Sequence, residues 1–159
     1  MEQVPPPDPA LQSATGPPLV VLDTNTVLDW LVFGDPSVSA VAEAICAGRV
    51  RWIWATRMRD ELADVLLRSE FVARRTAVDG DRSAVMACAD RWACAIANPP
   101  TQPLLRCRDA DDQVFIDLAI ASGARWLLTR DKALLALARV ARHRYGIAVI
   151  AAMHWRSDG

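Results

Sequence analysis

Apolar and polar positions fall in short blocks along the chain. Leu19 to Leu22 are apolar, and Asp23, Thr24, Asn25 and Thr26 follow at once. A short apolar run closed by polar residues predicts a central strand. A helix is predicted over Thr26–Phe33, broken at Gly34–Pro36. Another is predicted over Ser37–Ala47, stopped by Gly48. "RWIWAT" (Arg51–Thr56) is aromatic and apolar and predicts a second strand, with Thr56 placed to cap a helix running to about Arg68. Beyond it the pattern predicts a helix over Asp81–Ala97, ended by Asn98-Pro99-Pro100, and a short third strand over Pro103–Cys107. A helix over Asp111–Ser122 stops at Gly123, and a fourth strand covers Arg125–Thr129. A helix from Asp131 to about Arg144 stops at Gly146, and a last strand covers Ile147–Ala152. Strands alternating with helices imply a parallel sheet of roughly five strands, covered on both faces. Ligands of such sheets gather beyond the carboxyl ends of the strands, which is where Asp23 stands.

Residues 1–18 are proline-rich and aperiodic, so they are expected to form a disordered or extended tail outside the fold. The folded domain is expected over residues 19–152, with 153–159 as a short C-terminal tail. At 159 residues the chain is expected to form one domain able to bury a sizeable core. No apolar run approaches the ~18 residues of a membrane span. No basic stretch followed by an apolar one opens the chain, so no signal peptide is expected and the expected location is cytoplasmic. Cys46, Cys88, Cys94 and Cys107 are scattered, without metal-finger spacing, and read as reduced thiols. His143 and His154 are the only histidines, which leaves little for a Ser-His or Cys-His catalytic site. The net charge of −1 argues against a protein that coats nucleic acid. All the basic side chains are arginine except Lys132. Arginine prevails where phosphate is gripped, although a GC-rich gene produces the same bias.

Four acids draw attention. Asp23 follows the first strand directly; turn or cap duty is its bland role. In the helix after the second strand, Met58, Leu62, Val65 and Leu66 form an apolar stripe. Glu61 borders it, about 60° from Met58 at ~100° per residue, whereas Asp60 and Asp64 point away. "RDADDQVFIDLAIA" opens a helix on acids, with Asp109 or Asp111 as its cap. Asp112 shares the inward face of Phe115, Ile116 and Ala119; Asp117 lies well round the helix and interrupts an apolar run. Finally "WLLTRD" repeats the opening pattern, with Thr129 and Asp131 beyond a buried strand. Four separated segments thus bring acids to one edge. Two carboxylates ~5 Å apart at an effective dielectric of ~20 repel by roughly 3 kcal/mol. Several such pairs would threaten a fold stable by ~5–15 kcal/mol. Protons or divalent cations must relieve that repulsion, and oxygen-only ligands suit Mg²⁺ or Mn²⁺ rather than zinc. A carboxylate-held ion of this kind can activate water and stabilise the leaving oxygen in phosphodiester cleavage, with neither His nor Cys.

The stretches "VLDTNTVLD", "WATRMRDELADVL" and "DADDQVFIDLAIASGARWLLTRDKALL", in this order and spacing, resemble the PIN-domain ribonucleases, from about Leu19 to Ile150. They look most like the toxins of bacterial toxin–antitoxin pairs, of the VapC type. The resemblance implies a three-layer α/β/α sandwich and a Mg²⁺- or Mn²⁺-dependent endoribonuclease acting on RNA. It also implies a cognate antitoxin as partner and a homodimer. It implies Asp23, Glu61, Asp112 and Asp131 as catalytic and metal-binding residues, with Asn25 and Thr129 in support. Arg57, Arg59, Arg130 and Lys132 are expected near the same edge, where they could meet the RNA backbone. The stretch between Arg68 and Pro103 fits the family loosely, and the proline-rich tail is outside its pattern. Other acid-edged α/β proteins fit poorly. A response-regulator-like receiver needs a lysine after a late strand, and Lys132 follows Asp131 inside a helix start. A haloacid-dehalogenase-type phosphatase needs a second Asp where Asn25 stands, and a nucleotide-binding first turn needs glycines. The alternative of another class is an inactive PIN-like regulatory module acting through protein contact, with exposed tryptophans among the six as its mark. Most of the six are expected in the core.

Overall fold

A computed structural model of the protein describes residues 16–68, 82–101 and 105–158. Five strands form one all-parallel sheet: β1 (Leu19–Leu22), β2 (Arg51–Ala55), β3 (Ala93–Ile96), β4 (Trp126–Leu128) and β5 (Ala148–Ile150), in the order β3-β2-β1-β4-β5. The helices are α1 (Thr24–Leu31), α2 (Ser39–Cys46), α3 (Thr56–Leu67), α4 (Arg82–Trp92), α5 (Gln113–Ser122), α6 (Lys132–Leu135) and α7 (Ala138–Tyr145). Helices cover both faces, giving the three-layer α/β/α sandwich. The central strands are continuous apolar runs because both their faces are covered: β1 and β4 are buried throughout, and β2 from Trp52 onward. The edge strands β3 and β5 are short and only partly buried. α5 packs on β1 and β4, and α7 packs on β5.

The core holds Trp52, Trp54, Trp126 and Trp155, with Trp30 and Trp92 half-buried. Most tryptophans are therefore core residues, as expected. Trp155 packs edge-on against Trp126 at 5.5 Å between ring centroids, so the core continues past residue 152. All four cysteines are free thiols.

Several boundaries differ from the expectation, each for a local reason. The third strand is Ala93–Ile96, where a helix was expected to continue: four residues of "WACAIA" pair with β2 from Trp52 to Ala55. Of the expected Pro103–Cys107 strand, Pro103 and Leu104 lie outside the described residues, as do Asp81 and residues 1–15. Leu105 and Cys107 are buried without strand pairing. The side-chain amide of Gln113 satisfies their backbone instead: its oxygen accepts from the Cys107 N–H (2.6 Å), and its nitrogen donates to the Leu105 carbonyl (2.9 Å). α1 begins at Thr24, two residues early, because Asp23 caps it. α3 begins at Thr56 itself. Asn98, beyond β3, accepts from the Arg57 backbone N–H, which has no partner inside the helix (3.0 Å). The helix expected over Asp131–Arg144 is two helices, turned at Ala136–Leu137.

Gly123 and Gly146 end α5 and α7 in the left-handed region, at φ 68° and 67°. A Cβ at Gly146 would meet nothing within 4 Å, so only backbone strain opposes a side chain there. Gly146→Ala is therefore expected to cost ~1 kcal/mol, read as a lower midpoint of urea unfolding with an unchanged slope.

Candidate metal-binding active site

The strand order reverses at β1. The chain builds outward through β2 and β3, then returns to place β4 and β5 on the other side. The crevice beyond the carboxyl ends of β1 and β4 is thus the switch point at which parallel α/β sheets hold ligands. Asp23 extends β1 into it. Its backbone N–H donates to the Leu128 carbonyl of β4 (3.1 Å). Its side chain is 4% exposed and doubly bound: one oxygen accepts from the Thr26 N–H (2.8 Å), the other from the Thr129 hydroxyl (2.5 Å). Thr129, fully buried beyond β4, also accepts from the Asp131 backbone N–H (3.0 Å). One hydroxyl thereby sets the positions of two acids. Asp131 caps α6, accepting from Ala133 (2.8 Å) and Leu134 (3.3 Å).

Glu61 arrives from α3. The Thr24 hydroxyl donates to its carboxylate (2.8 Å) across 37 residues of sequence. Asp112 ends the short turn of 3-10 helix Ala110–Asp112 that leads into α5, and Asp109 caps that turn by accepting from the Asp111 N–H (3.0 Å). Asp23, Glu61, Asp112 and Asp131 line one cavity of about 200 Å³, together with Thr24, Asn25, Arg68, Leu28, Val65 and Phe115. Among the described residues no three carboxylates form a ready-made ligand sphere. The crowding is electrical instead. Burial, then the charges of Asp131, Asp109, Glu61 and Asp23, push the Asp112 carboxyl up to about 7. An oxygen-only donor set with surplus negative charge fits a hard divalent cation better than zinc or a thiophilic metal.

The expected basic residues part company. Arg59 forks onto Asp90 of α4, with both nitrogen–oxygen distances 2.8 Å, and so braces α3 against α4 instead of facing the cavity. Arg130 grips Asp29 of α1 at 2.9 and 3.0 Å. Burial raises the Asp29 carboxyl above its usual range, and Arg130 pulls it back. Arg130 nonetheless lines a wide depression of about 830 Å³ beside the acidic cavity, with Lys132, Arg108, Asn25, Asp109 and Asp131. Arg57 is exposed and lines neither space. Arg68, Arg108 and Thr24 were not singled out from the sequence. The Thr24–Glu61 pairing needs the fold, but Arg68, about two helical turns beyond Glu61, was within reach of helical spacing. Asp117 is buried and accepts from the Gln113 amide (2.8 Å), a structural cluster away from the cavity lining.

The fold and cavity define a parallel α/β protein with an oxygen-donor site at its switch point. The sequence profile of the PIN domain family matches residues 19–133, most of the chain, and the chain belongs to that family. PIN domains are generally nucleases. No curated protein matches the chain.

Without metal, the raised Asp112 carboxyl makes stability pH-dependent. The folded state keeps this proton up to about pH 7, whereas the unfolded chain releases it near 3.8. The group's contribution is complete below 3.8 and is lost as pH rises through 7. In EDTA, wild type should lose on the order of 1 kcal/mol relative to Asp112→Asn between those limits, after discounting for solvent around a half-buried group. Urea unfolding of both proteins across the range checks it.

Proposed function

We propose that this protein is a Mg²⁺- or Mn²⁺-dependent endoribonuclease and the toxin of a bacterial toxin–antitoxin pair. The observation that carries the catalytic reading is the shared cavity: Asp23, Glu61, Asp112 and Asp131 come from four separate segments to line one space at the switch point. Family membership supports nuclease chemistry. The toxin role is supported by the resemblance of the three quoted stretches to VapC-type toxins; on that reading the chain works as a cytoplasmic homodimer held inactive by an antitoxin.

Asp23, Asp112 and Asp131 would hold the ion, with Glu61 on a second ion or acting as the base that orients water. A bound ion of this kind supplies activation of water and charge stabilisation at the leaving oxygen. Thr129 and Thr26 each hold one oxygen of the Asp23 carboxylate, so it is already aimed and needs no reorientation. Thr24 holds one Glu61 oxygen and leaves the other to accept a proton from the attacking water. Arg68 lines the same cavity and would meet the scissile phosphate. Water attacks phosphorus, the bond to the 3′ oxygen breaks, and the product carries a 5′-phosphate.

The test is cleavage of single-stranded RNA with Mn²⁺, with Mg²⁺ and with EDTA, comparing wild type with Asp23→Asn and Asp112→Asn. Each substitution should lower the rate at least as much as the ~10–100-fold typical of losing an outer partner of a metal ligand. Mn²⁺ should raise the melting temperature of wild type and not of the variants. Folded variants that cleave as fast as wild type sink the catalytic assignment. Sequencing the neighbouring reading frame and expressing the protein in a bacterial host, with and without a small gene found there, checks the toxin role: growth should stop without such a gene and resume with it.

A further inference from the structure

We propose that the arginine face of α7 is a second RNA-backbone contact, carrying the substrate strand beyond the cleavage site. This rests on the nuclease reading of the acidic cavity. Charge along the chain is uneven. Residues 125–156 contain Arg125, Arg130, Lys132, Arg139, Arg142, Arg144 and Arg156 against the single acid Asp131, whereas the whole chain is at −1. Arg139, Arg142, His143 and Arg144 are all exposed on α7. Ala141 is buried, and Ala138 and Tyr145 half-buried, which turns the opposite side of the helix to the sheet. At ~100° per residue, Arg139, Arg142 and His143 fall within about 100° of one another and form one face.

Among the described residues no carboxylate pairs with Arg139, Arg142 or Arg144; the ion pairs are Arg59–Asp90 and Arg130–Asp29. The helix dipole favours Arg142, His143 and Arg144 in the last turn. It opposes Arg139, which stands in the first turn, and Arg139 and Arg142 repel at spacing i, i+3. A run of like charges kept at that cost fits a polyanion. Lys132, on the rim of the depression, is seven residues from Arg139 at the start of α7, at most ~25 Å even along extended chain. A strand leaving the depression can span that distance, which favours RNA over an acidic protein or an anionic membrane.

The probes are fluorescein-labelled single-stranded RNAs of roughly 6 and roughly 24 nucleotides, which bracket the ~4–16-nucleotide footprints of single-strand sites. Anisotropy in EDTA, from about 50 to 200 mM salt, compares wild type with the Arg139→Ala/Arg142→Ala double variant. For the longer RNA, the variant should bind about tenfold more weakly and lose about 1.4 from the slope of log affinity against log salt, ~0.7 per phosphate contact. Binding of the short RNA, and its cleavage with Mn²⁺, should be unchanged. Equal affinity and slope for the long RNA overturn the proposal whatever the cleavage assay gives. Tighter binding of polyglutamate, or of phosphatidylglycerol vesicles, than of the long RNA also overturns it. If neither RNA is cut but the long-RNA loss is seen, the contact stands and the nuclease reading falls.

Discussion

Negative charge gathered in a partly buried space is the constraint on which the rest of this structure depends. Four carboxylates line a cavity of about 200 Å³, and a fifth, Asp109, adds to the field at Asp112. In the absence of metal the fold answers in two ways. Asp23 and Asp131 are held by donors: backbone N–H groups at helix starts and the Thr129 hydroxyl. Such bonds fix the orientation of both carboxylates. Asp112 has no side-chain capping bond of this kind, and its carboxyl keeps a proton to about pH 7. The site therefore has two ways to lose its surplus charge, a proton on Asp112 or a cation shared among the donors. The two compete, because the proton must leave before that oxygen can ligate.

The same constraint explains why the acids come from so many places. The strand order puts β1 between β2 and β4, so the ends of β1 and β4 are neighbours although about a hundred residues separate them. Asp23 and Asp131 are consequences of those two ends. Glu61 comes from the helix that follows β2, and Asp112 from the turn that opens α5, which packs on both β1 and β4. Thr24 and Thr129 tie the segments side chain to side chain, one from α1 to α3 and the other from β4 to β1. A shift at Thr129 is felt by two acids at once, Asp23 and Asp131.

What was legible in the sequence follows from this. The buried central strands announce themselves, since apolar runs such as Leu19–Leu22 and Trp126–Leu128 end abruptly on polar residues. Acids at those ends are visible by position alone. β3 was hidden because it is an edge strand of alanine, cysteine and isoleucine, as compatible with the end of a helix as with a strand. Only its pairing with β2 decides. The Leu105–Cys107 segment misled in the opposite sense. Its apolar residues are buried, yet a glutamine side chain six to eight residues further on does the work of a neighbouring strand, a side-chain pairing that the apolar pattern does not encode. Asp117 was unplaceable for the same reason, since its partner Gln113 is itself committed to that segment. The turn at Ala136–Leu137 carries neither glycine nor proline, so nothing in the local chemistry marked it.

Proximity to the acidic edge is a poor guide to what a basic residue does, and the arginines show why. Arg59 and Arg130 were both expected at the substrate surface, yet each has a carboxylate partner. The two pairs differ in environment. Arg59 and Asp90 are both well exposed, and a pair of that kind contributes at most ~1 kcal/mol, so it positions α3 more than it stabilises it. Asp29 is buried, and losing Arg130 would leave its charge uncompensated, so Arg130 answers first to the fold. A phosphate arriving at Arg130 would have to share the guanidinium with Asp29, whose two oxygens both sit on Nη2. Arg108 and Lys132 line the depression without an ion-pair partner among the described residues, although Asp109 and Asp131 stand beside them. The division of labour among the cations is thus set by where the fold has already placed a carboxylate.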